Sequence, residues 1–562
     1  MIKFTENPFY LNDEQIRWVN DTYEAMNIEE RIGQLFCPIV FAEDKKELEY
    51  LVGEKHIGGA LFREGAGAKI RANHQILQAA SKIPLLIAAN LEYGGNGSAA
   101  EGTYFGHEML AAATKDEEKA YQLGKVSCKE GAAVGVNWAF APVVDIDMNY
   151  HNPITNVRTF GDNIDTVIAL GKAYLKAAKE EGVATAVKHF PGDGVDERDQ
   201  HLLTSVNSLT CDRWDETYGK IYLEMINAGT LTIMAGHIAM PAYEAYFDKT
   251  QCEKTIPATL SKNLLMHLLR EKLKFNGLVV TDATPMIGFG SAMSRASAVP
   301  ACIENGCDMF LFNKHMDEDF MFMHDGYKQG LLSNKRLEEA VKRILATKAA
   351  LKLPEKKTKN MLVPDQKALK VLNCKAHDTW AKECADMGVT LVKDTQGLLP
   401  LSPIKHKRIL LEMMGDFPGS ERVCQSFMDR LALEGFNVTK YVPEGFEVLN
   451  DTVTDFCSKY DLILYVGNVE TVSNKTVSRI NWHTMFGLGN NMPWMVNDIP
   501  TLFVSVGNPY HLLDVPMIKT FINGYSNSEY VINAILEKIM GRSQFKGKSP
   551  IDPFCGRDDL NY

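Results

Sequence analysis

The sequence has no Cys-x-x-Cys pair; its 11 cysteines are scattered and odd in number. That spacing excludes the usual disulfide frameworks and structural zinc sites, and fits a reduced, cytoplasmic chain with buried thiols. No apolar run approaches the ~20 residues needed to span a bilayer. The N-terminus, Met1-Ile-Lys-Phe-Thr-Glu-Asn-Pro, lacks a charged start followed by an apolar core, so no secretory signal is visible. Basic residues are not in excess. The net charge of −11 disfavours nucleic acid or an anionic membrane as partner. Nor does a Gly-rich phosphate turn follow the first strand-like run, as a dinucleotide-binding sheet requires. No metal and no nucleotide cofactor is called for.

What is present is an ordinary globular balance, 45% hydrophobic and 23% charged over 562 residues, enough for two to four domains. Residues 12–35 carry a rough helical stripe and read as one entry helix. Short apolar runs then recur at 33–40, 57–62, 84–91, 136–146, 184–190, 232–238, 277–281 and 308–312, with helical patterns between them. They lack strict alternation, as expected for parallel strands buried on both faces. Eight such strands predict a (β/α)8 TIM-type barrel over residues 1–353 in preference to an open doubly wound sheet. Pro354-Glu-Lys-Lys-Thr-Lys-Asn reads as a charged, exposed break, and 354–375 as a linker. A second series, with strands near 390–392, 409–412, 438–442, 462–466, 501–506 and 520–522, predicts a smaller three-layer α/β sandwich domain over 376–562.

Polar residues fall at the carboxyl ends of the predicted barrel strands: Glu92, Asp145, Lys188, His189, His237 and Asp282. That face builds the active site in barrels of this type. Beyond the fifth strand, Asp199 and His201 stand two positions apart. An extended segment would put both side chains on one side, where the carboxylate orients the imidazole for proton transfer. Asp282 closes Gly277-Leu-Val-Val-Thr-Asp282 and reads equally as a nucleophile or as the cap of a following helix. Asp145, Asp147 and Asn149 mimic the start of a calcium loop. Tyr150 replaces its required Gly and Asn156 its closing Glu, so that reading fails. Arg158 is a candidate for gripping ligand hydroxyls or for a surface ion pair.

Lys188-His-Phe-Pro-Gly-Asp-Gly194 with Asp199-Gln-His201 resembles the Lys-His-Phe-Pro-Gly-His-Gly … Asp-x-His signature of glycoside hydrolase family three, in its β-N-acetylglucosaminidase branch. Further segments resemble the family in the same order: Phe140-Ala-Pro-Val-Val-Asp145, Asn152-Pro … Arg158-Thr-Phe-Gly161, Gly236-His-Ile … Pro241-Ala and Thr281-Asp282. Met387-Gly-Val-Thr-Leu-Val-Lys-Asp394 … Leu398-Leu-Pro-Leu401 resembles the opening of its C-terminal α/β domain. The resemblance implies a retaining exo-β-N-acetylhexosaminidase. Asp282 matches the nucleophile, His201 the general acid/base and Asp199 its partner. Arg158, Lys188 and His189 match residues that hold sugar hydroxyls. The implied substrate is a small saccharide or muropeptide, handled by a monomer or homodimer.

Three departures bear on that expectation. The second His of the Pro-Gly-His-Gly turn is Asp193 here. The nucleophile is followed by Ala283-Thr-Pro-Met286, where the branch has Asp-Leu-x-Met. Strand three of the branch ends Asp-x-Glu-Gly-Gly-Arg-Val; here it reads Asn90-Leu-Glu-Tyr-Gly-Gly-Asn-Gly-Ser98, so a charged acceptor becomes an amide and the Arg is lost. The expected consequence is a pocket for a sugar modified or reoriented at C4 or C6. The competing expectation is phosphorolysis, since a His acid/base carries no negative charge to repel phosphate; the Asp-x-His loop argues against a β-glucosidase of the same family, and the intact Asp199, His201 and Asp282 argue against a sugar-binding paralogue.

Overall fold

The computed structural model describes every residue except 1, 42–43, 252–254, 416–418, 443–451, 470, 472, 483, 486–487, 490 and 562. The described residues form two compact units. One comprises Met1–Tyr104, Ala120–Asn152 and Ile164–Asp378; the other comprises Phe105–Lys119, Pro153–Asn163 and Thr379–Tyr562.

The chain enters through two helices where the sequence pattern predicts one. Helix α1 (Asp13–Glu24) stops at Ala25, and α2 (Ile28–Gln34) restarts from Asn27, whose side chain accepts from the Glu30 amide while Glu30 returns a bond to the Asn27 amide. This capping box satisfies helix-start donors that an uninterrupted helix would not expose. The hydrophobic stripe continues across the break, which is why periodicity alone merges the two.

All eight barrel strands form where the apolar runs lie. They are β1 (Phe36–Cys37, resumed after Pro38 as Ile39–Val40), β2 (Gly59–Phe62), β3 (Leu86–Ala89), β4 (Trp138–Ala139), β5 (Ala184–Phe190), β6 (Thr232–Ala235), β7 (Leu278–Thr281) and β8 (Phe310–Leu311). Neighbours from β1 through β7 pair in parallel, in sequence order. A bridge between Val280 and Met309 and the pairing of Phe36 with Phe310 close the ring. Closure leaves no free strand edge. Every residue of β2 to β8 is buried, which explains the unbroken apolar runs.

The exposed break expected from Pro354 is a helix. Lys352 takes a left-handed conformation (φ +56°) and ends α3 (Asn334–Ala350), and α4 (Leu353–Thr358) begins at once. Pro354 sits in its first turn, where a missing amide costs nothing.

The second unit holds a six-stranded sheet: β9 (Thr390–Asp394), β10 (Arg408–Met414), β11 (Asn437–Lys440), β12 (Leu462–Gly467), β13 (Thr501–Ser505) and β14 (Thr520–Asn523), in spatial order β9-β14-β13-β12-β10-β11. Only β9 is antiparallel. The other five follow the order of a flavodoxin-like doubly wound sheet.

Glu412 lies inside β10, paired in register with Tyr465, and burial pushes its carboxyl up to about 9. Folding therefore takes up a proton at this site. Stability present below the ordinary carboxylate pKa is lost as pH rises towards the folded value. Glu412→Gln is expected to raise stability at pH 8 by about 1–3 kcal/mol, with little change at pH 4. Denaturant midpoints at the two pH values measure this.

Candidate active site

Near the end of strand β5, Lys188 and His189 are each held by a carboxylate that follows another barrel strand. The Lys188 Nζ donates to Glu92 Oε1 at 2.5 Å, just beyond β3. His189 meets Asp145, beyond β4, twice: its backbone amide lies 3.1 Å from Oδ1 and its Nδ1 2.7 Å from Oδ2. Burial demands this pairing, since an isolated charge in the barrel mouth would pay the full desolvation cost. Glu92→Ala strands the Lys188 ammonium. The expected loss is about 3–5 kcal/mol of stability, read as a lowered denaturation midpoint.

With Nδ1 committed to Asp145, His189 presents Nε2 towards Asp282, 3.9 Å from Oδ2. Asp282 follows β7. Its amide donates to Ala235 O at 2.7 Å, and its Oδ1 accepts the Ala283 amide at 2.7 Å. It caps no helix, because the next helical turn, Ile287–Gly290, starts from Met286. Burial opposes ionisation of Asp282, but the imidazoles of His189, His237 and His201 and the Ala283 amide outweigh it. The carboxylate is therefore held below its usual pKa. His237 is buried and pushed towards its neutral form by desolvation. Its Nδ1 lies 3.0 Å from Thr259 Oγ1 and its Nε2 2.9 Å from Ala283 O, so it donates through Nε2 to the peptide beside Asp282.

Asp199 and His201 pair as expected, but through a different backbone. The segment is a turn, with the Leu202 and Leu203 amides both donating to Asp199 O. One carboxylate oxygen, Asp199 Oδ1, accepts the His201 amide at 2.8 Å and lies 2.7 Å from its Nδ1. The side chain folds back over its own backbone, which suits Asp at a turn better than side-by-side placement on a strand. Asp199 is fully buried while the His201 side chain is 23% exposed. The carboxylate thus fixes the ring and leaves Nε2 for a ligand.

Lys188, His189, His201, Asp199 and Asp282 all lie in the first unit, as does Asn90, partly exposed just beyond β3. Arg158 lies in the second unit, on the short helical turn Asn156–Arg158, where its Nη1 donates to Ile154 O at 3.1 Å. Two residues absent from the sequence-based site complete the arrangement. Asp193 accepts from Gly194 N (2.8 Å) and Asn152 Nδ2 (3.2 Å), and Gln200 bridges Asp193 and the His237 amide. Burial, then the nearby Asp145 carboxylate, raises Asp193 to about 7. The available signals were the departure from His at 193 and a polar residue locked between Asp199 and His201.

Residues 27–347 match the family described as the glycosyl hydrolase family 3 N-terminal domain. Over their whole lengths, the chain and a β-N-acetylglucosaminidase/β-glucosidase from Cellulomonas fimi are 43% identical. β-Hexosaminidase A from Pseudoalteromonas piscicida is 31% identical over 63% of this chain and 62% of its own length. Among solved structures, the β-glucoside phosphorylase BglX superposes with a TM-score of 0.93 at 44% identity, covering 99% of each chain. A β-N-acetylglucosaminidase from Paenibacillus sp. str. FPU-7 shares the fold, with a TM-score of 0.79 at 22% identity over 94% of this chain and 99% of its own.

Proposed function

The chain belongs to glycosyl hydrolase family 3, and we propose that it removes a terminal β-linked glucose or N-acetylglucosamine from a small saccharide by double displacement. The observation that carries this reading is an ionised Asp282 in the same barrel mouth as a His201 ring fixed by Asp199. Asp282 attacks the anomeric carbon, the bond to the aglycone oxygen breaks, and His201 delivers its proton to that oxygen. Asp199 stabilises the imidazolium before transfer and keeps the tautomer afterwards, as the carboxylate does in a Ser-His-Asp triad. Lys188, His189 and Asn90 hold sugar hydroxyls. Asn90 offers a neutral amide, able to donate and accept, to the outer hydroxyls.

In the second step the glycosyl–Asp282 ester is opened from the other side. Two acceptors suit the chemistry. Water needs His201 to take its proton. Phosphate attacks through an oxygen that is already anionic, the ester bond to Asp282 breaks, and the proton phosphate carries restores the His201 imidazolium. A carboxylate acid/base would repel that anion and an imidazole does not. This favours phosphate, and the likeness to a phosphorylase supports the same choice.

Initial rates on aryl β-glucoside, N-acetylglucosaminide, N-acetylgalactosaminide and glucuronide, with and without inorganic phosphate, test the reading. The expected result is turnover of the first two substrates, with sugar 1-phosphate formed when phosphate is present. Free sugar alone under both conditions would leave the double displacement standing and make water the acceptor. Silence across the panel would sink the proposal.

A further inference from the structure

We infer that Gln200 is a positioning residue for proton transfer by His201, with Asp193 as its anchor, an assignment that rests on the acid/base reading of His201. Gln200 stands between Asp199 and His201 in the turn. It is buried, and both ends of its amide are used: Oε1 accepts the His237 amide at 2.8 Å and Nε2 donates to Asp193 Oδ2 at 3.2 Å.

Both partners are themselves fixed. The Asp193 amide donates to Asp145 Oδ1 at 2.8 Å, its carbonyl accepts the Tyr218 hydroxyl at 2.5 Å, and its Oδ1 accepts from Asn152. His237 is tied through Nε2 to Ala283 O, one residue past the nucleophile. Gln200 therefore links the turn that carries His201 to the strand ends that carry Asp145 and Asp282.

The backbone completes the link. The Ile287 amide donates to His201 O at 3.0 Å and the Gly288 amide to Gln200 O at 3.3 Å. A Cβ at position 288 would stand 2.6 Å from Gln200 O and 2.9 Å from the His237 Cβ, so only glycine lets the nucleophile's loop lie this close. The amide of Gln200 is the side-chain part of a contact that the glycine makes possible. Without it, Asp199 still orients the ring but the turn loses its buried side-chain tie to the strand ends, and general acid catalysis depends steeply on where the turn places the imidazole.

The decisive measurement is leaving-group dependence. Aryl β-glycosides of the sugar turned over best are compared, phenyl as the poor leaving group and 2,4-dinitrophenyl as one that departs without a proton. For Gln200→Leu, kcat/KM is expected to fall about 30- to 100-fold on the phenyl substrate and less than about 3-fold on the dinitrophenyl one. Gln200→Glu keeps the acceptor for His237 but places a carboxylate against Asp193. It should show the same split, and it stands in should the Leu variant fail to fold. Adding Gln200→Leu to His201→Ala should cost nothing further, because the residue acts through the ring.

Equal losses on both substrates, or full additivity with His201→Ala, would overturn the assignment while leaving the proposed function intact. A His201→Ala variant that itself showed no leaving-group split would instead remove the acid/base reading.

Discussion

Asp282→Gly is expected to lower turnover of an activated aryl β-glycoside by at least about 10^4-fold while leaving the barrel folded. The residue closes β7 without capping a helix, and its amide bond to Ala235 O belongs to the backbone. Removing the carboxylate therefore spares the framework. It also relieves a crowded spot, since a glycine there no longer needs the imidazoles of His189, His237 and His201 to offset burial of a charge. Azide supplies the sharper readout. It enters the space the carboxylate leaves and displaces the aglycone once, so the product is the α-glycosyl azide. Recovery of the β-azide, or residual activity within about 100-fold of the parent, would assign the nucleophile elsewhere. The pH dependence has a definite sign. The pKa of Asp282 is lowered on folding, so its favourable contribution is present above the unfolded value and lost as pH falls through the folded one. The acid limb of kcat/KM is thus expected below the usual carboxylate range.

His201→Ala is expected to separate the two chemical steps. On a phenyl glycoside, whose oxygen must be protonated as it leaves, kcat/KM should fall about 10^2- to 10^4-fold. On a 2,4-dinitrophenyl glycoside the first step needs no proton and the glycosyl–Asp282 ester still forms. Azide then attacks that ester rather than the substrate. Two inversions give the β-glycosyl azide, the opposite anomer from the Asp282→Gly variant. Asp199→Asn should follow the same pattern more mildly, because the ring remains but the oxygen fixing its Nδ1 at 2.7 Å is no longer a carboxylate. Phosphate dependence in the parent decides the natural acceptor. A parent rate that phosphate leaves unchanged, with only free sugar produced, would favour water.

Much of this protein was legible as sequence because its signals are local. The strands of the barrel are buried on both faces, so each reads as an unbroken apolar run, and the eight runs coincide with the eight strands. In the second sheet the same holds for β12, β13 and β14, whereas β11, Asn-Val-Thr-Lys, alternates between exposed and half-buried positions. The pairing of Asp199 with His201 spans two positions and is legible from spacing, although the spacing implies an extended segment and the structure makes the pair with a turn. The break between α1 and α2 was written in Asn27 and Glu30, but a hydrophobic stripe that continues across the break hides a capping box.

What only the tertiary structure decided are contacts between residues far apart in the chain. Closure of the barrel rests on Phe36 meeting Phe310, and no pattern at either position announces the other. His189 finds Asp145 because adjacent parallel strands end side by side, 44 positions apart in the chain, and Lys188 reaches past the intervening β4 to Glu92, 96 positions away. The grouping of the Pro153–Asn163 segment, with Arg158, into the second unit is equally invisible along the chain. Gln200 is the plainest case. Composition marks it as an ordinary polar turn residue, and its use appears only when burial leaves the amide two partners, Asp193 and the His237 peptide, and no water to replace them.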